Sequence, residues 1–87
     1  MLEVVVKARF DYMAMDGKER WPVKKGDLGV IRLKSHRQYV RFVQPLVIWD
    51  GDPSRRARES ILSSLEVVGL EAKGIRLMVA SFPKAHP

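Results

Sequence analysis

The chain has 87 residues, of which 46% are hydrophobic and 30% charged, a globular balance that argues against disorder. It contains no cysteine, which excludes a disulfide framework and a thiolate zinc site, and no apolar run nears the ~18 residues that cross a bilayer. The net charge of +6 lies wholly within residues 18–41, where Lys18, Arg20, Lys24, Lys25, Arg32, Lys34, Arg37 and Arg41 are opposed only by Glu19 and Asp27.

Leu2–Phe10 is valine-rich and partly alternating, which predicts a strand with Val4, Val6, Ala8 and Phe10 on one side. Asp16-Gly17 is a turn signal, so Asp11–Glu19 reads as a hairpin-like excursion. Trp21-Pro22-Val23 is extended, because proline drives its predecessor out of the helical region, and Lys25-Gly26-Asp27 turns the chain into the next strand. Leu28–Lys34 and Gln38–Val43 read as two strands of a hairpin about Ser35-His36-Arg37. Alternation puts Ile31, Leu33, Val40 and Phe42 on one face and Arg32, Lys34, Tyr39 and Arg41 on the other.

Leu46–Trp49 is a short apolar strand stopped by Asp50-Gly51-Asp52-Pro53. A short helix is expected over about 53–63, with Asp52 as its cap and Pro53 in the first helical position, where a missing N–H costs nothing. Ala57, Ile61 and Leu65 would form its apolar stripe. Leu65–Val68 then reads as a strand, Gly69–Gly74 as a loop and Ile75–Phe82 as an extra C-terminal strand. That strand is expected to close the sheet against Leu2–Phe10; pairing between protomers, as a homodimer, is the alternative. One domain over 1–82 with a frayed tail at 83–87 follows, and the missing secretory pattern makes a cytoplasmic, membrane-free protein the expectation.

Ala8-Arg9-Phe10-Asp11-Tyr12 resembles the A-L-Y-D-Y motif that begins Src-homology-3 (SH3) domains. Arg20-Trp21-Pro22-Val23-Lys24-Lys25-Gly26-Asp27 resembles the family's E-L-S-F-x-K-G-D segment. Tyr39-Val40-Arg41 would stand for the W-W-x-A strand and Ser63–Val67 for the closing P-S-N-Y-V. The resemblance implies a mostly β, SH3-like, partly open five-stranded barrel, here with one inserted helix. It also implies a peptide groove at Phe10, Tyr12 and Tyr39, with Asp16 and Glu19 as the acidic residues that would meet a ligand arginine.

Two functional expectations follow. A basic, aromatic-bearing face made of Lys24, Lys25, Arg32, Lys34, Arg37, Tyr39 and Arg41 would engage nucleic acid, a nucleoprotein or an acidic protein surface, cations drawing phosphates while the ring stacks on a base. The alternative is an SH3-like adaptor or regulator, encoded by a phage or another mobile element, that binds a host protein. Catalysis has little to stand on: His36 and His86 fall in a hairpin tip and a tail, and no nucleophile has an evident base. No catalytic, cofactor-binding or metal-ligating residue is therefore assigned. Trp21 and Trp49 read as core or rim anchors.

Overall fold

The computed structural model describes residues 2–32 and 44–79. Among them are eight strands: β1 (Leu2–Ala8), β2 (Tyr12–Asp16), β3 (Glu19–Val23), β4 (Leu28–Arg32), β5 (Leu46–Trp49), β6 (Ala57–Glu59), β7 (Leu65–Ala72) and β8 (Ile75–Met78). They form one antiparallel sheet in the order β3-β2-β6-β5-β4-β1-β7-β8.

β1 lies between β4 and β7 and is buried on both faces. Val6 and Ala8 join Ala14, Val23, Val47, Trp49 and Leu65 on one side, with Val4, Tyr12, Trp21 and Ile31 packed against that cluster. Val5 points the other way, into a smaller cluster with Val30, Ile48 and Val68. A strand covered on both sides needs apolar residues at successive positions, which accounts for the Val4-Val5-Val6 run where strict alternation would serve a half-exposed strand. Phe10 does not join the inner face: β1 stops at Ala8, and Phe10 is exposed in the connection to β2.

The second cluster needs a cover, and the β7–β8 hairpin supplies it. Arg76 on β8 donates to both carboxylate oxygens of Asp50, at 2.7 and 3.1 Å, and Asp50 follows directly on β5. In a flat sheet β8 would lie four strand spacings from β5, or ~19 Å. The hairpin must therefore curl back over the outer face of β1, β4 and β5. The bend is set in β7, where Val67 pairs with Val6 and Gly69 with Val5, leaving Val68 as the extra residue of a β-bulge.

The expected helix over 53–63 is not formed. Asp52 does cap, but its Oδ1 accepts from the backbone N–H and the hydroxyl of Ser54, at 3.0 and 2.7 Å, as an Asx turn. Arg55 then adopts φ +57°, which ends helical progress after one turn. The chain continues as β6, paired with both β5 and β2. The burial pattern is that of this strand, since Arg58 and Ser60 are buried while Ala57 and Ile61 are exposed. Leu62–Ser64 forms a single 3-10 turn.

Two further expectations change. The loop over 69–74 shrinks to Lys73-Gly74, because β7 runs on to Ala72. Both turn residues have positive φ (52° and 78°), as a two-residue type I′ hairpin requires. The last strand pairs with β7 rather than with β1, whose two edges are already taken. The expected strand Gln38–Val43 lies outside the described residues.

Candidate interaction site

The A-R-F-D-Y segment is where β1 gives way to β2, and several bonds fix it. Ala8 N–H donates to Asp27 O and Gly26 N–H to Ala8 O, both at 2.9 Å, while Arg9 N–H reaches Ser64 O at 2.8 Å. Asp11 Oδ1 accepts from Lys25 N–H at 2.8 Å. The Lys24–Asp27 turn is closed by Asp27 N–H on Lys24 O and by Lys24 N–H on Asp27 Oδ2, at 2.9 Å each, and Gly26 at φ +94° supplies the left-handed residue the turn needs.

On this frame the Phe10 ring meets Tyr12 edge-on at 5.9 Å, and Tyr12 in turn meets the buried Trp49 at 6.4 Å. The Tyr12 hydroxyl donates to Ser60 Oγ at 2.7 Å. Ser60 leads into Ile61 and the 3-10 turn, which Ser64 closes through its hydroxyl and its N–H on Ile61 O, at 2.6 and 2.9 Å. The Arg9–Ser64 and Tyr12–Ser60 bonds thus bring the β1–β2 connection against residues 60–64. Phe10 (49% exposed), Ile61 (59%) and Leu62 (67%) lie in these two tied segments, flanking a half-buried phenol. The corner offers a partner apolar surface with one phenol–hydroxyl pair at its base.

The acidic pair foreseen for a ligand arginine is met by the chain's own Arg56. Its Nη2 lies 2.7 Å from Asp16 Oδ2 and its Nη1 3.2 Å from Glu19 Oε1. Beside it, Arg58 is buried, donating through Nε to Asp52 Oδ2 at 2.8 Å and stacking over Trp21 at 4.9 Å from the ring centroid. Burial works to raise the Asp52 carboxyl, but the hydrogen bonds from Arg58 and Ser54 outweigh it and hold its pKa below the ordinary value. Trp21 is thus half-buried beneath a cation, and Trp49 is a core residue.

Of the proposed basic face, Lys24, Lys25 and Arg32 fall within the described residues; Lys34, Arg37, Tyr39 and Arg41 lie outside them, as does the Tyr39 share of the peptide groove. Lys24 and Lys25 are exposed in the turn before β4, whereas Arg32 closes β4 at its far end and pairs with Glu3 at 3.0 Å. These three do not share one patch. A different alignment emerges along β3, where Lys18, Arg20 and Lys24 recur at every second or fourth residue from the hairpin tip to the next turn. All are exposed, and none is in an ion pair among the described residues.

Ser60, Ile61 and Leu62 are not foreseen as part of a site because the segment reads as a helix, on which Arg55, Arg56 and Arg58 would face outward as a second basic cluster; instead Arg56 pairs with Asp16 and Glu19, and Arg58 is buried against Asp52. No alternation of polar and apolar residues in Arg-Ala-Arg-Glu-Ser marks it as a strand, since its buried side is Arg58 and Ser60. Among the described residues no group of three or more His, Asp or Glu could hold a metal ion, and no helix is long and apolar enough to cross a membrane. No family model matches the chain, and neither a curated protein nor a solved structure matches it.

Proposed function

We propose that the chain is a non-enzymatic interaction module on an SH3-like small barrel, and that the Phe10–Tyr12–Ile61–Leu62 corner receives an extended apolar segment of a partner protein. The fold reading draws support from the sequence of elements: an opening strand, a long hairpin excursion, the Lys24–Asp27 turn, and a strand paired back onto the first. The functional reading rests on one observation. Large apolar side chains stand exposed on a segment that hydrogen bonds hold rigid, and a preorganised aromatic surface loses little entropy when a partner docks.

The test is a titration of isotopically labelled protein with apolar and proline-rich peptides. Amide shifts should move at Phe10, Tyr12, Ser60 and Leu62, and Phe10→Ala should weaken binding by roughly tenfold or more while leaving the denaturation midpoint in place. Silence at those amides would remove the reading.

A second reading, nucleic-acid binding, is favoured by the Lys18–Arg20–Lys24 row along β3, whose spacing of ~7 Å between alternate residues suits a phosphate backbone. It predicts an affinity that falls steeply with salt and a loss on reversing the three charges. Absence of binding to single- and double-stranded nucleic acid at low salt would eliminate it.

A further inference from the structure

The register across β4, β1, β7 and β8 sorts side chains into rows. Arg32, Glu3, Glu71 and Arg76 form a charged row on one face, two inner carboxylates flanked by two outer guanidinium groups. Its ion pairs are closed within the chain, Arg32 with Glu3 and Arg76 with both Glu71 and Asp50. The neighbouring rows on the opposite face are apolar throughout: Ile31, Val4, Leu70 and Leu77 in one, Leu2, Ala72 and Ile75 in the next. At the β4 and β1 end the first row packs on the core. At the β8 end both rows emerge into solvent, with Leu77 68% and Ile75 65% exposed.

β8 is also an edge. Among the described residues no strand pairs with its outer side. The Ala72–Ile75 pair that closes the two-residue turn turns the backbone groups of Ile75 and Leu77 toward β7, as the Val79 N–H bond to Val68 O (2.7 Å) continues. The N–H and C=O groups of Arg76 and Met78 therefore point outward.

These features fit one occupant, a second copy of the same strand. We propose that the chain forms a two-fold homodimer in which β8 pairs antiparallel with β8 of the partner, with Leu77 opposite Leu77. Residues opposite each other in an antiparallel pair share a face, so a two-fold axis must pass through a residue position. Centring on Leu77 places Arg76 opposite Met78 of the other copy, and each such pair exchanges both backbone bonds. It also continues the Ile31–Val4–Leu70–Leu77 row unbroken into its symmetry mate. Centring on Arg76 would instead set two guanidinium groups face to face and pair Met78 with the turn residue Gly74. The only charge on β8 is engaged by Asp50 and Glu71, so the strand offers a charged partner nothing that it does not already use itself.

The experiment is sedimentation equilibrium of the full chain from micromolar to submillimolar concentration. A monomer–dimer equilibrium is expected, and Leu77→Lys, which opposes two ammonium groups across the axis, should raise the dissociation constant on the order of a hundredfold. Leu77 is exposed, so circular dichroism should show the variant folded. In this cysteine-free chain Leu77→Cys gives an independent readout. Opposed residues of a non-hydrogen-bonded pair lie within disulfide reach, so the variant should oxidise to a covalent dimer, whereas Lys73→Cys, displaced along the strand, should not. A chain that stays monomeric at submillimolar concentration overturns the proposal. So does a dimer that Leu77→Lys leaves intact and Leu77→Cys fails to link.

Discussion

Among the described residues the sheet has two edges, β3 and β8, and they are treated in opposite ways. β3 carries Arg20 and Pro22, with Lys18 just before it and Lys24 just after it, all exposed. Proline offers no N–H to an incoming strand, and the repelled charges keep a second copy away. β8 has no such guard: its one cation is tied down, and the rest of it is Ile75, Leu77 and Met78, all exposed. Among the described residues one edge is thus guarded and the other is bare, which makes β8 the edge open to pairing. The same contrast runs inward. Near β3 one charged pair, Arg58 with Asp52, is buried and fastens a loop to the sheet, while on β8 the apolar side chains are exposed.

The largest effect should come from breaking the β3 end. Arg58 joins β6 to the 50–56 loop through Asp52 and to β3 through Trp21. Arg58→Ala leaves the Asp52 carboxylate buried without its partner, which costs about 3–5 kcal/mol, enough to leave a domain of this size marginal. Urea denaturation measures it. Ile75→Ala at the other end removes an exposed side chain and should shift stability by less than about 0.5 kcal/mol under dilute conditions. Equal losses at the two sites would contradict the contrast between a buried charge pair at one end and exposed apolar side chains at the other.

A smaller break can be made at the β8 end without touching its apolar surface. A Cβ on Gly69 would run into the carbonyl oxygen of Leu77 and lie 3.1 Å from Met78 Cα. Both are backbone atoms, so no change of rotamer makes room. Gly69→Ala should force β7 and β8 apart at a cost of about 1–3 kcal/mol. The hydrogen-exchange protection of the Val79 amide, which donates to Val68 O, should collapse before that of β1. The dimer should weaken with it, since β8, the strand that would pair, is the one displaced.

Much of this contrast was legible in the residues, and the part that was not has a physical cause. The strands at Leu46–Trp49 and near the N-terminus follow from apolar runs between turn signals, and the Asp16-Gly17 turn from glycine's freedom at φ +64°. The span after Asp52 misled because a cap and a following proline are equally the opening of an Asx turn. What decided against a helix was the pairing of β6 on two sides and the burial of Arg58, both tertiary facts. Gly69 read as the start of a loop because glycine usually breaks a strand, whereas here it marks close backbone approach within one. The candidate corner was half visible, since Phe10 and Tyr12 were singled out by motif. Ser60 meets Tyr12 across 48 residues of sequence and brings Ile61 and Leu62 in on the adjoining segment, a proximity that only the sheet creates.

The gentlest test of the β3 end uses pH. Asp52 has a folded pKa below its ordinary value of 3.8, because the bonds from Arg58 and Ser54 outweigh burial. In the unfolded chain the carboxyl returns to the ordinary value. Between the two values the unfolded state therefore binds more protons, and stability must rise with pH across that window. The contribution is complete above about pH 5 and drains away as the pH falls through 3.8 toward the folded value. Asp52→Asn cannot titrate there, so its stability curve should be flatter on the acid side although it lies lower everywhere, its amide leaving Arg58 without a counter-charge. Chemical denaturation from pH 6 down to pH 2.5 for both proteins gives the two slopes. Parallel curves would mean that Asp52 is not the group that fails in acid, and that the closed end of the sheet is held by packing against Trp21 rather than by its buried charge.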